Sequence, residues 1–576
     1  MKGLIRVEKA DHRPFTISCP YGYFISYLDL IPDSMGYHKK GEMNGLWYPP
    51  VRLLKNIHLR GPDGISAPSK TVIESGSAKF FYEGSTLTLG FNRDHDFIIA
   101  LENHDGSDRD LVIDLLPETI WFSINYTAIY VRKRSVSVHS HMFPESSIIV
   151  STRNDFTLNG NTLIVSTGRH ALLRIYSNTV HGKKPFIKIN SYADIYRYSK
   201  LRSSKEDITR NFCMAKENMI RLSLIVPGIG YGITGGHPDF PWYFGIDTLL
   251  SMNGMMDAGF FDLAYGSLNV LARFSRSGRI PHEIITSGKV YNEGDLEETA
   301  LFPYSVLRYV EWSGNLAGST HLIETSYLSI RYLLESGYRG RGIMEDANAG
   351  QGIDIDTITF ALLSLSKLKE FRDNGSETAA EFADDIELDA KIKDIKNMLD
   401  SFWLPERNTY ANRIADGVPM DMGFWTSIVP FYAGLSDADT YKKFTSEEGG
   451  LKRLSGEYGI TVDEHGNSMP INTGMFAIAA AKYKDVENAA EYFRKLNASF
   501  GAFSPFSFPE IANNSQGCYL QAWSAAIYVE SIVEGLLGIH ASGDGLASDR
   551  RSLDTLIGTG ELRNLRFRER EYMFKF

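Results

Sequence analysis

The chain has 576 residues, of which 43% are hydrophobic and 23% charged, and its formal net charge is −10. This length exceeds one ordinary hydrophobic core and predicts two or three domains, and the composition is that of a globular protein. The acidic balance excludes a general nucleic-acid binder, which needs a basic face, and no run of about 18 apolar residues predicts a membrane span.

The three cysteines and the N-terminal sequence favour a cytoplasmic protein. Cys19, Cys213 and Cys518 are odd in number and far apart, so they predict neither a disulfide framework nor a zinc motif. The opening residues, MKGLIRVEKADHRPF, carry charges where a signal peptide needs an apolar run. The 14 histidines show no metal-ligand spacing, so we expect no catalytic metal.

Residues 1–204 are predicted to form an antiparallel β-sandwich. Leu87 and Leu89 alternate with polar residues, which is typical of a half-buried strand. Asn159-Gly160 lies between two apolar runs and predicts a tight hairpin, because both residues accept positive φ. The segment Gly36–Asn56 departs from this pattern and is predicted to be a long loop that reaches toward the other domain.

Residues 205–540 change to a helical period. Phe260, Ala264, Leu268 and Leu271 are three or four positions apart and form one helix face. Such segments predict twelve helices, near 205–220, 246–258, 260–275, 297–313, 319–336, 354–371, 380–402, 421–434, 438–452, 471–483, 485–499 and 519–538. Twelve helices can close into an (α/α)6 toroid, a ring of six hairpins around a central funnel. An open helical solenoid is the alternative, but no motif repeats at a fixed period.

The C-terminal residues 541–576 are predicted to be an extended arm packed on the body. Apolar residues alternate within Glu561–Phe576, which indicates a strand. The basic residues in this segment alternate with glutamates, so they indicate a solvated strand face rather than a nucleic-acid site.

A glycine-rich stretch matches the G-x-G-x-x-G pattern of dinucleotide-binding loops. Gly230, Gly232 and Gly235 follow an apolar run, as in such loops. However, two prolines occur in the next six residues, so no helix opens at the third glycine to hold a phosphate. We therefore favour a flexible entry into the catalytic domain over a nucleotide site.

Three segments place carboxylates beside aromatic residues and glycines at the beginnings of predicted helices. In the first, Trp242 and Tyr243 closely precede Asp247. An aromatic platform with a carboxylate suits a sugar, because the ring stacks on the sugar and the carboxylate accepts from two hydroxyls. An aspartate at a helix start can also be a simple N-cap, and for Asp247 considered alone this role is favoured.

The second segment contains four acids within about twelve residues, Glu345, Asp346, Asp354 and Asp356. Crowded carboxylates raise one another's pKa, which is how a general acid stays protonated near neutral pH. The spacing does not follow that of a calcium-binding loop. The segment is therefore either a source of the general acid or a solvated loop.

The third segment is a loop that opens onto the last predicted helix. It carries Pro509-Glu510 and several amide side chains, and Gln521 and Trp523 follow. An acid in a loop is usually surface decoration. Here the flanking proline and tryptophan favour a fixed Glu510 that faces a site.

These three segments resemble the glucoamylase and glycogen-debranching (amylo-α-1,6-glucosidase) families, which share the six-hairpin toroid. By this resemblance Glu510 is the general base and Asp247 binds hydroxyls of the terminal sugar. The acid that protonates the leaving oxygen maps onto Asp346, with Glu345 as its rival. Ile246 stands where the families have arginine, which leaves the exact substrate open.

The resemblance extends to a set of predicted substrate-binding residues, Trp242, Tyr243, Glu283, Glu297, Glu298, Glu345, Gln521 and Trp523. It implies an inverting, exo-acting hydrolase that cleaves α-glucosidic bonds of oligo- or polysaccharides without a cofactor. The linkage (α-1,4, α-1,6 or α,α-1,1) and the oligomeric state stay open. An inverting disaccharide phosphorylase and a catalytically inactive carbohydrate-binding relative are the alternatives.

Overall fold

The computed structural model describes residues 6–36, 43–74, 76–106, 109–115, 128–139, 147–182, 188–343, 352–549 and 554–576. Within these ranges the N-terminal region is built from strands, which are β1 (Arg6–Lys9), β2 (Pro14–Cys19), β3 (Gly22–Tyr27), β4 (Gly45–Tyr48), β5 (Val51–Gly61), β6 (Gly64–Ser66), β7 (Lys70–Glu74), β8 (Ser77–Tyr82), β9 (Ser85–Phe91), β10 (Phe97–Asn103), β11 (Asp110–Leu115), β12 (Ala128–Arg132), β13 (Ser135–His139), β14 (Ser147–Thr152), β15 (Phe156–Asn159), β16 (Thr162–Ser166) and β17 (His170–Ser177). They form two antiparallel sheets, in the order β1-β7-β8-β9-β10-β17-β14-β13-β12 and β15-β16-β11-β5-β4-β3-β2, with β6 paired to β5. The predicted β-sandwich is confirmed.

The hairpin predicted at Asn159-Gly160 is also confirmed. Asn159 pairs with Thr162, and Gly160 adopts a φ of 59° between the two strands. In β9, Leu87 and Leu89 are buried while the residues between them are partly exposed, as the alternation predicted.

The loop predicted over Gly36–Asn56 is wrong for most of its length. β4 and the first half of β5 occupy Gly45–Asn56 and lie inside the eight-stranded sheet, between β3 and β11. Leu46 and Trp47 are both buried there, although neighbouring residues of a strand point to opposite faces, because Trp47 stacks on Tyr23 and Tyr23 packs on His237 of the ring. The loop prediction for residues 37–42 lies outside the described residues.

The described helices are α1 (Tyr192–Arg197), α2 (Glu206–Arg221), α3 (Gly245–Leu250), α4 (Met252–Asp257), α5 (Phe261–Phe274), α6 (Leu296–Ser313), α7 (Thr320–Ser336), α8 (Ile355–Asp373), α9 (Glu377–Asp385), α10 (Leu388–Asp400), α11 (Val429–Ala433), α12 (Ala438–Thr445), α13 (Gly450–Leu454), α14 (Pro470–Lys482), α15 (Val486–Ala498), α16 (Ala522–Glu530) and α17 (Asp554–Ile557). Short 3-10 turns at Ala317–Ser319 and Trp425–Ile428 precede α7 and α11, and α16 continues into a π-helical segment, Ser531–Leu536. The helices form the predicted six-hairpin ring.

Four predicted helices are divided or shortened. The helix predicted over 246–258 is split into α3 and α4 at Ser251. The helix predicted over 380–402 is split into α9 and α10, because Glu387 adopts the left-handed φ of 54°. The helix predicted over 438–452 is split into α12 and α13 at Ser446–Gly449, where Gly449 packs against the main chain of Phe444. The helix predicted over 421–434 is reduced to α11 and the 3-10 turn before it.

The ring has an inner and an outer layer of helices. The helices α3, α6, α8, α14 and α16 are buried along almost their whole length. By contrast α7, α10 and α15 bury one face only, as expected of an outer layer. Since inner and outer helices alternate along the chain and run in opposite directions, the inner helices begin at the same end of the ring.

The connections of the ring contain short strands, which are β18 (Lys200–Ser203), β19 (Ser223–Val226), β20 (Gly230–Ile233), β21 (Gly236–His237), β22 (Tyr243–Phe244), β23 (Glu283–Ile284), β24 (Val290–Asn292), β25 (Ile353–Asp354), β26 (Trp403–Leu404), β27 (Thr409–Tyr410), β28 (Arg413–Ala415), β29 (Val418–Met420), β30 (Leu520–Gln521), β31 (Ile539–Ser542), β32 (Gly545–Ser548), β33 (Gly560–Phe567) and β34 (Arg570–Lys575). The predicted C-terminal strand is a hairpin, β33–β34, which pairs with β18 at the start of the ring. The predicted domain boundaries, at 204/205 and 540/541, stay predictions.

The glycine-rich stretch is an ordered hairpin rather than a flexible entry. Gly230 and Gly232 lie in β20, which pairs with β19, and no helix follows Gly235. A Cβ at Gly232 would come within 3.2 Å of Tyr243, and one at Gly235 within 3.0 Å of Phe244. These glycines therefore serve close packing.

The sandwich packs directly behind the segments that carry the predicted site. Thr16 of β2 is hydrogen-bonded to the Tyr519 hydroxyl at 2.6 Å, and its hydroxyl lies 3.3 Å from Nδ1 of His237. The rings of Tyr23 and His237 are 4.6 Å apart.

Within the described residues no helix is both long and apolar enough to cross a membrane. All three cysteines are free.

Candidate active site

Glu510 is held by the main chain of its own loop. Its N–H donates to the Cys518 carbonyl at 2.7 Å, and the Cys518 N–H donates to Glu510 Oε2 at 2.9 Å. Gly517, with a φ of 89°, leaves room for the carboxylate, since a Cβ there would lie 2.5 Å from Oε2. Glu510 is 9% exposed. The side chain is therefore held in one position and is not an exposed surface residue.

Two asparagines fix the loop to the ring. Asn218 Oδ1 on α2 accepts from the Phe508 N–H at 3.0 Å. Asn513 Oδ1 accepts from the Ser468 N–H at 3.1 Å, just before α14. These two amide side chains, of which Asn513 belongs to the loop noted in the sequence, satisfy main-chain donors and help to determine where Glu510 lies.

The surroundings of Glu510 raise its pKa toward neutral pH. Burial raises the pKa of Glu510 to about 7, and the carboxylates of Asp247 and Asp239 add to this, whereas the Cys518 N–H lowers the pKa. A general base must be ionised, and its efficiency is greatest when its pKa is near the working pH. Asp239 stands three residues before Trp242, but no sequence pattern marks it as part of a site.

We expect Asp239→Asn to move the acidic limb of the kcat/KM profile. Wild-type activity should fall as the pH drops through about 7, because protonated Glu510 cannot accept a proton. Removing the Asp239 charge lowers the pKa of Glu510, so the limb should shift to lower pH. The control is Asp384→Asn, which removes the same charge from the exposed face of α9. An unmoved limb with a lower melting temperature would mean that Asp239 is only structural.

Asp247 is not the N-cap of its helix, so that interpretation is wrong. The N-cap is Phe244, and Asp247 is the third residue of α3. Its Oδ1 accepts from Gln521 Nε2 at 2.8 Å, while Gln521 Oε1 is buried without a hydrogen-bond partner. The pairing of Gly236 with Gln521 brings these segments together. Asp247, Gln521 and Glu510 therefore belong to one site.

The predicted aromatic platform lies inside the wall of the site. Trp242 is fully buried, and its Nε1 donates to Glu283 Oε2 at 3.2 Å. The Tyr243 hydroxyl donates to the carbonyls of Leu224 and Gly230, at 3.0 and 3.1 Å. Contact of either ring with a sugar stays a prediction.

Trp523, in the first turn of α16, has an unused donor. Its side chain is partly exposed, but Nε1 is buried and makes no hydrogen bond. Buried donors without partners are rare in folded proteins and often mark the place of a ligand or a water molecule.

The two adjacent glutamates at the start of α6 have different environments. Glu298 accepts from the Asp295 N–H at 3.0 Å in a capping box and from His282 Nδ1, so both of its oxygens are used. Glu297 is 1% exposed and its Oε2 has no partner. Burial, then Glu298, Asp356 and Asp295, raise the pKa of Glu297 well above its usual range. Of this pair, Glu297 has the oxygen that is free for a ligand.

His282, Glu297 and Glu298 are also the group of described residues whose geometry could hold a metal ion. Their donor atoms lie within 4.8 Å of one another. In this structure His282 and Glu298 use those atoms for the hydrogen bond to each other, which leaves Glu297.

The predicted general acid, Asp346, and its rival Glu345 lie in 344–351, outside the described residues. The structure describes the chain on both sides of them. Gly342 N–H donates to Asp354 Oδ2 at 2.7 Å, and Ile343 N–H donates to Asp356 Oδ2 at 2.8 Å. The described residues on the N-terminal side of 344–351 therefore contact the beginning of α8.

The last two acids of the crowded segment also differ. Asp354 forms a two-pronged ion pair with Arg413, with Nη2 to Oδ2 at 2.7 Å, so its role is structural. Burial, and then the Asp354 charge, raise the pKa of Asp356 to about 7. The predicted effect of crowded carboxylates on pKa is confirmed at Asp356, although burial contributes more.

Taken together, the carboxylates lie at the beginnings of inner helices. Asp247, Glu297 and Asp356 lie in the first turns of α3, α6 and α8, and Glu510 lies in the loop before α16. The partial positive charge of a helix N-terminus favours an ionised carboxylate, but burial outweighs this effect on the pKa of Glu297 and Asp356. The arrangement provides a buried base, acids with raised pKa values and unpartnered polar atoms at one end of the ring, which suits binding and proton transfer to a polyhydroxylated ligand.

No protein-family model and no curated protein sequence matches the chain. Among solved structures, the chain is similar to a protein assigned as a kojibiose phosphorylase from the human microbiome. The TM-score is 0.64 at 10% identity, over 99% of this chain and 94% of that one. A bacterial glucoamylase in complex with acarbose gives a TM-score of 0.58 at 12% identity, over 92% and 97%. The chain thus has the glucoamylase-like six-hairpin fold that the sequence predicted. Neither of these two structures is named as a debranching enzyme.

Proposed function

We propose that the protein is an inverting, exo-acting glycoside hydrolase that cleaves α-glucosidic bonds of oligo- or polysaccharides. The observation that carries the proposal is Glu510, a buried carboxylate with a pKa near 7 that is fixed beside Asp247. In this mechanism ionised Glu510 takes a proton from the attacking water. Asp247 and Gln521 hold hydroxyls of the non-reducing sugar, and Glu297 supplies a further acceptor.

The proton donor on the opposite side of the sugar is Asp346 in this proposal, with Glu345 as its rival. An inverting enzyme needs room for water between its base and the anomeric carbon, so the two carboxyl groups should lie roughly 6.5–9.5 Å apart. No cofactor takes part in this scheme. The free cysteines are consistent with a reducing compartment, and we propose the cytoplasm.

An inverting disaccharide phosphorylase is the second candidate, because one of the two similar structures is assigned as a phosphorylase. In that reaction phosphate replaces water and approaches the position of the base. Here the charged groups that shift the pKa of Glu510 are both carboxylates, Asp247 and Asp239. They repel a phosphate anion and favour water, and this supports the hydrolase.

A substrate screen tests the proposal. The purified protein is incubated with maltose, isomaltose, panose, trehalose and glycogen, with and without phosphate. Free glucose that forms without phosphate supports the hydrolase, and early NMR spectra should show the β anomer. Glucose 1-phosphate that forms only with phosphate would establish the phosphorylase. Binding without turnover would indicate an inactive relative, which Ile246 at the families' arginine position makes worth testing.

Asp247→Asn should weaken sugar binding and turnover while leaving the melting temperature nearly unchanged. The amide keeps the shape and can still contact Gln521, but it loses the charge that accepts from sugar hydroxyls. KM and kcat for maltose and the thermal midpoint are measured together. A lower midpoint with unchanged kinetics per folded molecule would show that Asp247 is structural.

A further inference from the structure

A cavity lies on the outer wall of the ring. We call it the outer groove; its walls are the β19–β20 hairpin, α5, the end of α6 and the start of α7. Its volume is about 670 Å³, within the range of roughly 300–1,000 Å³ of small-molecule sites. Asp247, Glu297 and Glu510 do not line it, so it is separate from the candidate active site.

Two tyrosines line the outer groove; Tyr265 is partly exposed, and Tyr309, which is 4% exposed, packs against it. The rings of Tyr265 and Tyr309 are 5.7 Å apart and inclined by 30°. The Tyr265 hydroxyl donates to the Gly318 carbonyl at 2.8 Å, and Asn315 Nδ2 donates to the Tyr309 hydroxyl at 3.3 Å. Both rings are therefore fixed before any ligand arrives, which lowers the entropic cost of binding.

Basic and acidic side chains surround these rings. Arg273 donates through Nη1 to the Ile229 carbonyl at 3.0 Å, and the residue is exposed. His321 uses Nε2 for Asn269, which leaves Nδ1. Asp262 lines the same groove and pairs with an exposed lysine. Cations and an anion are thus mixed, so the groove does not select a strongly charged ligand.

We propose that the outer groove is a secondary binding site for a linear gluco-oligosaccharide segment. The partly exposed ring of Tyr265, held in place by Tyr309, can stack on the C–H face of a sugar, and Arg273, His321 and Asp262 offer hydrogen bonds to hydroxyl groups around it. The identity of the sugar rests on the proposed function. Such a site would keep a branched polysaccharide on the enzyme while its chain ends enter the funnel.

Affinity electrophoresis in native gels that contain glycogen tests this site. The Glu510→Gln background prevents consumption of the polysaccharide. Tyr265→Ala should raise the apparent dissociation constant roughly two- to tenfold, as expected for loss of one aromatic contact. Arg273→Ala, at the exposed rim, should also weaken retardation and avoids disturbing the core. Tyr130→Ala, which removes an exposed tyrosine of the sandwich, is the matched control.

Kinetics with active protein separate this proposal from the hydrolase. Tyr265→Ala should raise KM for glycogen and leave kcat/KM for maltose unchanged. Equal retardation of Tyr265→Ala, Arg273→Ala and the control would overturn the outer groove as a sugar site, whatever the activity. Conversely, if the protein cleaves no glucoside but these variants lose retardation by glycogen, the hydrolase fails and the groove stands.

Discussion

Glu510→Gln is expected to lower kcat/KM by about 10² to 10⁴-fold, the usual cost of removing a general base. Glutamine has nearly the same shape, and its Oε1 can still accept from the Cys518 N–H, so the loop should stay folded. The amide oxygen is too weak a base to take a proton from water. Initial rates on maltose, with the thermal midpoint of each protein, measure this effect.

The matched control is Glu464→Gln, an exposed glutamate in the neighbouring connection before α14. It should keep wild-type rates. Glu510→Gln fails to take a proton from the attacking water and leaves protonation of the leaving group intact. A substrate with a better leaving group should therefore not restore its rate. A Glu510→Gln enzyme with nearly full activity would remove Glu510 from the mechanism.

Asp346→Asn should show the opposite dependence on the leaving group. A sugar alkoxide needs a proton to depart, so hydrolysis of maltose should fall by about 10² to 10⁴-fold. A glucosyl fluoride needs that proton much less, so its hydrolysis should largely survive. The ratio of the two rates, measured for Asp346→Asn and for wild type, reports the acid role directly.

Glu345→Gln is the comparison variant for this experiment. If it gives the leaving-group pattern and Asp346→Asn does not, the acid lies one position earlier. If neither variant changes the ratio, the crowded segment is not the proton source, and Asp247 becomes the next candidate. Retention of anomeric configuration in the NMR spectra would falsify the single-displacement mechanism as a whole.

The fold could be predicted because its main signals are local. Period-two alternation marks β9, and three- and four-residue steps mark α5, so the change from sandwich to ring is visible in the sequence. The breaks at Glu387 and Gly449 were missed, because a left-handed residue and a glycine packed against main chain depend on tertiary contacts.

The site could be predicted only in part, for a similar reason. Glu510 and Asp247 stand in sequence motifs that resemble those of known families. Asp239 stands in no such motif, and it raises the pKa of Glu510 only because folding brings its charge close. The difference between Glu297 and Glu298 depends on the capping box with Asp295, which the sequence pattern alone did not resolve. The sequence pattern also did not show that Trp242, predicted to bind a sugar, is fully buried and donates its indole N–H to Glu283.

The hydrogen bond between Asp247 and Gln521 joins residues that are 274 positions apart in the chain. It connects the first inner helix of the ring to the last, beside the base. Contacts of such long sequence separation slow folding, because the entropy of closing a long loop must be overcome before they form. A chain still emerging from the ribosome lacks this contact until α16 has been synthesised, so the appearance of catalytic activity can report that the ring has closed.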